Sequence, residues 1–291
     1  MANTLNGINL TVIAQEALPV LQKKLAPLAL FTTDFSAEVQ TKGAAISTRY
    51  VTPVAATDYD RTVGYTGSAV VSNAVTITLN KHKFFVASFD DSEVGNASLP
   101  VLQRTFIEPA VNAIGNAVQA DLIALMTTAF PSYYSASYAN FGFAGVTGGA
   151  KILDNSGSNA PRAALLGTNL FYDVLDDIKG IYSTGPDALR NGDVGMLGNV
   201  ATALVPTSEF AGTGLAGFIG GRDALCIASR QIGIANNPNV EVSTVTLDNG
   251  FTVQLRQWYD ATAGLWNLGA IALYGVIRGN PSSGVRIITT D

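Results

Sequence analysis

Apolar residues recur along this chain at two periods, and the switch between them marks out its elements. Over residues 9–25, Leu10, Ile13, Ala14, Ala17, Leu21 and Leu25 follow at three- and four-residue steps, the period of one helical face. Pro19 predicts a break or kink inside that helix, and Pro27 its end. The longest stripe runs over 99–129 through Leu102, Phe106, Ala110, Ala113, Ile114, Ala117, Leu122, Leu125 and Met126. Ser98 suits its cap and Pro100 its first turn. Its many alanines predict close packing, and Pro109 predicts a bend that packing must offset. A shorter helix is expected from Thr168 to about Ile181, with Phe171, Val174, Leu175 and Ile178 on its core face.

The other period is two. Val71, Val75, Ile77 and Leu79 alternate with Ser72, Thr76 and Thr78, the pattern of a half-buried strand, and 44–54 reads as a weaker one. Between them lies a polar tip with Asp58, Asp60, Arg61, Gly64 and Gly67, so 43–80 reads as a long β-hairpin. A lone hairpin is marginal in water, and one so poor in charge is expected to lie on another subunit. Phe84, Phe85, Val86, Ala87 and Phe89 form a continuous apolar run, expected to be a strand buried on both faces. Ala163–Leu166, Val200–Val205 and Leu225–Ala228 read as short core strands. From residue 240 the chain is β: Asp248-Asn249-Gly250 signals a hairpin turn, and Leu268–Ile277 and Val285–Ile288 are two further strands. Residues 131–160 and 183–199, rich in Gly, Ser, Asn and Tyr, read as loops.

Composition narrows what such a chain does. Of 291 residues 47% are hydrophobic and only 13% charged, against about 25% in ordinary soluble domains, which implies an exterior buried against something else. No apolar run approaches the roughly 18 residues of a membrane span, so that something is expected to be protein. The net charge of −5 and the lack of basic clusters beyond Lys23-Lys24 and Lys81-His82-Lys83 argue against a nucleic-acid groove. One cysteine, Cys226, permits no intrachain disulfide and suits a reducing cytoplasm, and the N-terminus lacks the basic region of a secretory signal.

Catalytic chemistry has little to build on. Any Ser-His-Asp or Cys-His system would need the single histidine, His82, which sits between lysines and reads as a surface residue. Cys226, in Ala224-Leu225-Cys226-Ile227-Ala228, reads as core. One Cys and one His leave nothing to cluster around zinc. The G-x-G-x-x-G at Gly212, Gly214 and Gly217 is followed by Gly220-Gly221 and lacks an acid about 20 residues on, so it reads as a flexible loop and not a dinucleotide site. The acid pairs Asp58/Asp60, Asp90/Asp91 and Asp176/Asp177 read as solvated tips and helix faces. An Asp at the hairpin tip can also meet an Arg of a neighbouring subunit. Asp58 and Asp60, with Arg49, Arg61 and Arg104, are therefore the candidate intersubunit contacts. No catalytic residue, cofactor or metal is expected, and the chain is not expected to be an enzyme.

The order of elements then acquires meaning. Three stretches stand out: Thr76–Glu93 (TITLNKHKFFVASFDDSE), Arg104–Leu125 (RTFIEPAVNAIGNAVQADLIAL) and Gly221–Ser229 (GRDALCIAS). With an arm before them and strands after, they resemble the major capsid proteins of tailed bacteriophages, the Hong Kong 97-like fold. The resemblance implies an α+β chain: an N-terminal arm (1–42), an extended loop (43–80), a peripheral domain with a spine helix (81–148 and 238–291) and an α/β axial domain (149–237). It implies Gly-rich loops at 183–199 and 211–221 near the shell's symmetry axes. It also implies self-assembly in the bacterial host cytoplasm into an icosahedral virion shell that encloses double-stranded DNA without sequence-specific binding. Portal, scaffolding and cement proteins would be further partners, with no membrane role. No lysine lies between Gly43 and Asn80, so the Lys–Asn crosslink that some members make from that loop is not expected. Nor is a scaffolding segment seen before the arm, which implies a separate scaffolding protein. A host nanocompartment shell of the encapsulin type is the alternative, and a surface-array β-protein a more distant one.

Overall fold

The computed structural model describes residues 10, 18–19, 21, 25, 27–28, 30–34, 45–51, 56, 58–59, 61–65, 72–96, 99–137, 140–158, 161–181, 196–197, 199–233, 240–246 and 250–289. Two six-stranded sheets and a separate two-stranded hairpin organise it.

The first sheet is built on one long strand. Its members are β1 (Thr32–Asp34), β4 (Lys81–Asp90), β10 (Leu225–Arg230), β11 (Val240–Thr246), β12 (Thr252–Asp260) and β13 (Leu265–Arg278). The order is β1-β10-β13-β12-β11, with β4 also paired to β13. Strand β13 can serve β4, β10 and β12 together because it is 14 residues long and apolar nearly throughout. The second sheet runs β5 (Tyr133–Ala136), β14 (Gly284–Thr289), β9 (Gly217–Gly221), β6 (Arg162–Gly167), β8 (Val200–Val205), β7 (Met196–Leu197). Strands β6 and β8 pair in parallel and α4 (Thr168–Ile181) follows β6 directly, so the sequence-predicted α/β character is present here. The hairpin is β2 (Ala45–Val51) against β3 (Ser72–Thr78), in the register Ala45↔Thr78 to Val51↔Ser72.

A single apolar core ties both sheets to the long helix α2 (Leu99–Ala129), which α1 (Asp91–Asn96) precedes. Ile107, Val111, Ile114, Val118, Leu122 and Met126 are buried at helical spacing and face both sheets. Phe218 of the second sheet stacks edge-on against Phe31 (5.5 Å) and Phe130 (5.1 Å) at the centre. The buried stripe is rotated from the one expected: Phe106 is partly exposed against Phe89, and Ile107, Val111, Val118 and Ile123 carry the core. The helix runs through Pro109, which lies on the exposed side. Ser98, its expected cap, lies outside the described residues.

Four expectations are corrected. Pro27 does not end the N-terminal helix: Pro27 and Leu28 are still helical, and the chain turns only where the Phe31 amide donates to the Leu28 carbonyl (3.0 Å). Residues 131–160 are not all loop, since β5 and the helix α3 (Gly142–Asn155) lie there. Glycine disfavours an isolated helix, yet a Cβ at Gly145, Gly148 or Gly149 would fall within 2.6 Å of Phe141, Tyr134 or Ile219, so the bare backbone is what lets α3 sit this close. The second half of the expected flexible loop at 211–221 is β9, wholly buried between β6 and β14. Strand β4 is not buried on both faces: Phe85, Ala87 and Phe89 turn inward, while Phe84 is 69% exposed and Val86 36%.

Sheet membership also crosses the domain boundaries that the sequence suggests. Strand β10, within 149–237, pairs in the first sheet, and β5 and β14, outside that range, pair in the second.

Candidate assembly surfaces

The hairpin is rooted on its own chain. Ile77 and Leu79 are buried against Cys226, Ala228 and Leu273, on the face of the first sheet that points away from α2. β3 crosses this face so closely that a Cβ on Gly275 would stand 2.2 Å from the Thr78 carbonyl oxygen. After a tight turn (Asn80 amide to Thr78 carbonyl, 2.9 Å), Lys81 begins β4. Its ammonium donates to Asp121 Oδ1 of α2 (2.7 Å), and Tyr274 of β13 donates its hydroxyl to Oδ2 of the same carboxylate (2.6 Å). Burial, then the bond to Asp121, pushes the Tyr274 phenol far above its ordinary pKa. The hairpin therefore leaves the body from a fixed point.

Its tip is the opposite of its root. Tyr59, Val63 and Tyr65 are 61, 67 and 93% exposed, and the two tyrosine rings stack at 4.9 Å. Asp58 and Arg61 are exposed beside them. Monomeric surfaces rarely gather exposed aromatic and aliphatic groups so tightly. Of the five sequence-predicted contact residues, the structure thus places Asp58 and Arg61 on this tip. Arg49 lies in β2 opposite Ala74, and Arg104 in the second turn of α2. Their side chains, and Asp60 altogether, lie outside the described residues.

A second surface was not foreseen. The hairpin root covers only part of the outer face of the first sheet; beyond it Phe84 and Val86 are exposed and Arg256 and Trp258 half-buried, while Gln254 and Ile271 are buried. Phe84 pairs with Ile271, and Val86 with Gly269. Trp258 reaches over Gly269 from the other side, since a Cβ there would stand 3.2 Å from its ring and 3.6 Å from Val86. Next to them Arg256 directs Nε and Nη2 at one acceptor, Gln254 Oε1 (3.1 and 2.7 Å), and meets no carboxylate among the described residues. Burial holds its pKa below the ordinary value. Half-buried Trp and Arg beside an exposed Phe match the composition of protein–protein interfaces. The signal was present in the sequence as the alternation His82, Phe84, Val86, Ser88, masked by the inward apolar series between them.

The remaining chemical candidates resolve into structure. Cys226 is buried, and burial followed by the Asp223 charge raises its thiol pKa to about 11. Asp90 caps α1: its Oδ1 accepts the Glu93 amide (2.7 Å) and Glu93 Oε2 accepts the Asp90 amide (3.1 Å), a reciprocal capping box. The Ser92 hydroxyl, which donates to the same Oδ1 (2.6 Å), and then the Glu93 amide lower the Asp90 pKa. Asp91 accepts the Tyr259 hydroxyl (3.0 Å). Asp177 Oδ2 accepts the Phe143 amide at the start of α3 (2.9 Å). Burial, then repulsion from Asp176 and Asp177, raises the pKa of Asp173. Among the described residues no group of three or more His, Cys, Asp or Glu is placed to hold a metal ion, and no helix is long and apolar enough to cross a membrane.

No family model matches this sequence, and no curated protein is significantly similar to it. Solved structures are. A chain of the mature capsid asymmetric unit of bacteriophage PhiM1 superposes with a TM-score of 0.59 at 14% identity, over 90% of this chain and 86% of that one. A chain of the capsid structure of cyanophage P-SCSP1u gives 0.60 at 10% identity, over 90% and 87%. A chain from Gordonia phage Cozz gives 0.61 at 12% identity, over 92% and 87%. The chain has the α+β fold of these phage chains over about nine-tenths of its length.

Proposed function

We propose that this chain is the major capsid protein of a tailed bacteriophage, a structural subunit that assembles with copies of itself into the icosahedral shell around a double-stranded DNA genome. The observation that carries this reading is the match over about nine-tenths of the chain to capsid chains of PhiM1 and P-SCSP1u. The surfaces support it physically. A rooted hairpin with an aromatic tip, and a sheet face that exposes Phe84 and Val86 beside the half-buried Trp258 and Arg256, are two patches that cost free energy while exposed. Copying one extended contact by symmetry closes a shell from one kind of subunit.

In this reading residues 1–42 are the arm and 43–80 the extended loop that reaches over a neighbour. Residues 81–148 and 238–291 form the peripheral domain, and 149–237 the axial domain near the symmetry axes. Asp58, Asp60 and Arg61 at the tip, with Arg49 and Arg104, make intersubunit contacts, and Arg256 supplies a cation for a tip carboxylate. The shell encloses DNA by geometry, since a net charge of −5 does not grip phosphate. Portal, scaffolding and cement proteins would complete the particle, assembled in the host cytoplasm. The chain has no catalytic role. Expression of the chain alone, sized by light scattering and imaged by negative-stain electron microscopy, tests the proposal. Uniform shells, or tubes and sheets with hexagonal order, are expected. A compact monomer that stays monomeric with phage partner proteins present would overturn it.

A further inference from the structure

The chain passes between the two sheets at three places: α2 to β5, β9 to β10, and β13 to β14. These crossings meet at one point. The β9–β10 link (222–224) and the β13–β14 link (279–283) are bonded to each other by two backbone pairs, Gly279 amide to Ala224 carbonyl and Asn280 amide to Asp223 carbonyl, both 2.9 Å. Asp223 adds two side-chain bonds: its Oδ2 accepts from Asn280 Nδ2 (3.1 Å) and from the Ser283 hydroxyl (3.0 Å). Gly279 lies against this link so tightly that a Cβ would stand 2.2 Å from the Asp223 carbonyl oxygen.

The remaining crossing, α2 to β5, is fastened to the strands on either side of the β13–β14 link. Helix α2 has no basic residue in its last turn to meet its free carbonyls. Arg278, at the end of β13, donates to the Ala129 carbonyl (2.6 Å), and Arg286, in β14, to that of Thr127 (3.2 Å). One arginine belongs to each sheet, so both sheets grip the negative end of the same helix. Ser283 is fully buried and touches Ser158 Oγ (3.1 Å), while Ser282 accepts from the Ser156 hydroxyl (2.7 Å), which extends the joint to the end of α3.

We propose that Asp223 is the positioning residue of a three-way joint that fixes the angle between the two sheets and thereby the curvature that each copy brings to the shell. The curvature half rests on the capsid reading; the joint itself does not. Links between sheets are usually surface loops free to move. Here Ala224, Gly279 and Ser283 are buried, and the links are bonded to each other and clamped to a helix terminus, which restricts hinging between the sheets.

The test uses the full chain with spin labels at Glu241→Cys in β11 and Met196→Cys in β7, both exposed, where the buried Cys226 does not compete. Electron–electron double resonance then reads the inter-sheet distance in spin-diluted samples, and hydrogen exchange reads the Gly279 and Asn280 amides. Asp223→Ala is expected to broaden or shift the distance distribution and to speed exchange at both amides about tenfold or more. Asp223→Asn and Ser283→Ala give smaller changes of the same kind and decide the matter if Asp223→Ala does not fold. Distances and exchange identical to the parent in a folded variant would overturn the joint. Altered distances with particles of unchanged, uniform diameter would overturn the link to curvature. If the parent chain forms no particles, the capsid reading fails while the distance measurement still decides the joint.

Discussion

Asp121 is the residue on which the exit of the hairpin depends, and Asp121→Ala is the most informative single change. Two donors lose their acceptor. The Tyr274 ring is fully buried, so its hydroxyl has no water to turn to, and a buried donor left unmade costs about 1–3 kcal/mol. Lys81 keeps roughly a third of its side-chain exposure and rehydrates, so its ion pair adds at most about 1 kcal/mol. The expected loss is about 1–4 kcal/mol, a fall in Tm of a few degrees at about 2 °C per kcal/mol for a chain of this size. Thermal and urea unfolding of the unassembled chain measure it. The reasoning makes a sharper demand: Tyr274→Phe in the Asp121→Ala background removes the stranded hydroxyl, so the double variant is more stable than Asp121→Ala alone. The pH profile follows from the same bond. The folded phenol titrates above its unfolded value near 10, so its contribution is full below about pH 10 and is lost as pH rises beyond it. Tyr274→Phe removes that part of the alkaline decline. An Asp121→Ala chain within about 0.5 kcal/mol of the parent, or one made worse by Tyr274→Phe, would refute the account.

Other expectations test the surfaces and the core separately. Phe84→Asp, on an exposed side chain, leaves the unassembled chain within about 0.5 kcal/mol of the parent in urea unfolding, yet abolishes particle formation by electron microscopy. Gly275→Val drives side-chain carbon into the Thr78 carbonyl, and limited proteolysis then cleaves the hairpin far faster while the sheet core persists. Cys226, with a pKa near 11, reacts with a thiol-specific disulfide reagent at pH 8 only as fast as the protein opens, and at once when urea is added. Rapid labelling of the native chain would contradict its burial.

What the sequence revealed tracks how local each cause is. The long helix at 99–129 and the strand pair 240–246 with 252–260 were legible as elements because local propensity there agrees with the tertiary environment, although the buried face of the helix is rotated from the stripe expected. The helix at Gly142–Asn155 was not, because its glycines are explained only by Tyr134, Phe141 and Ile219 pressing on it. For the same reason β9 read as a loop: Gly217 and Gly220 are wanted by the crowding of neighbouring strands, not by a turn. The tip residues Asp58 and Arg61 were found because a polar break between two alternating runs announces itself. Arg256 and Trp258 were missed because, in a strand, residues that face an open surface differ from those facing a core only through what the fold sets beside them.

The threefold crossing between sheets has a consequence for modularity. Neither sheet is encoded by a continuous stretch of sequence, so no cut of the chain releases one of them whole, and recombination with a relative that exchanges one sheet must exchange nearly everything. Heritable novelty is steered instead to places where the backbone leaves the joined body and returns to it, the hairpin tip at 58–65 foremost, where new sequence can be inserted without disturbing either layer.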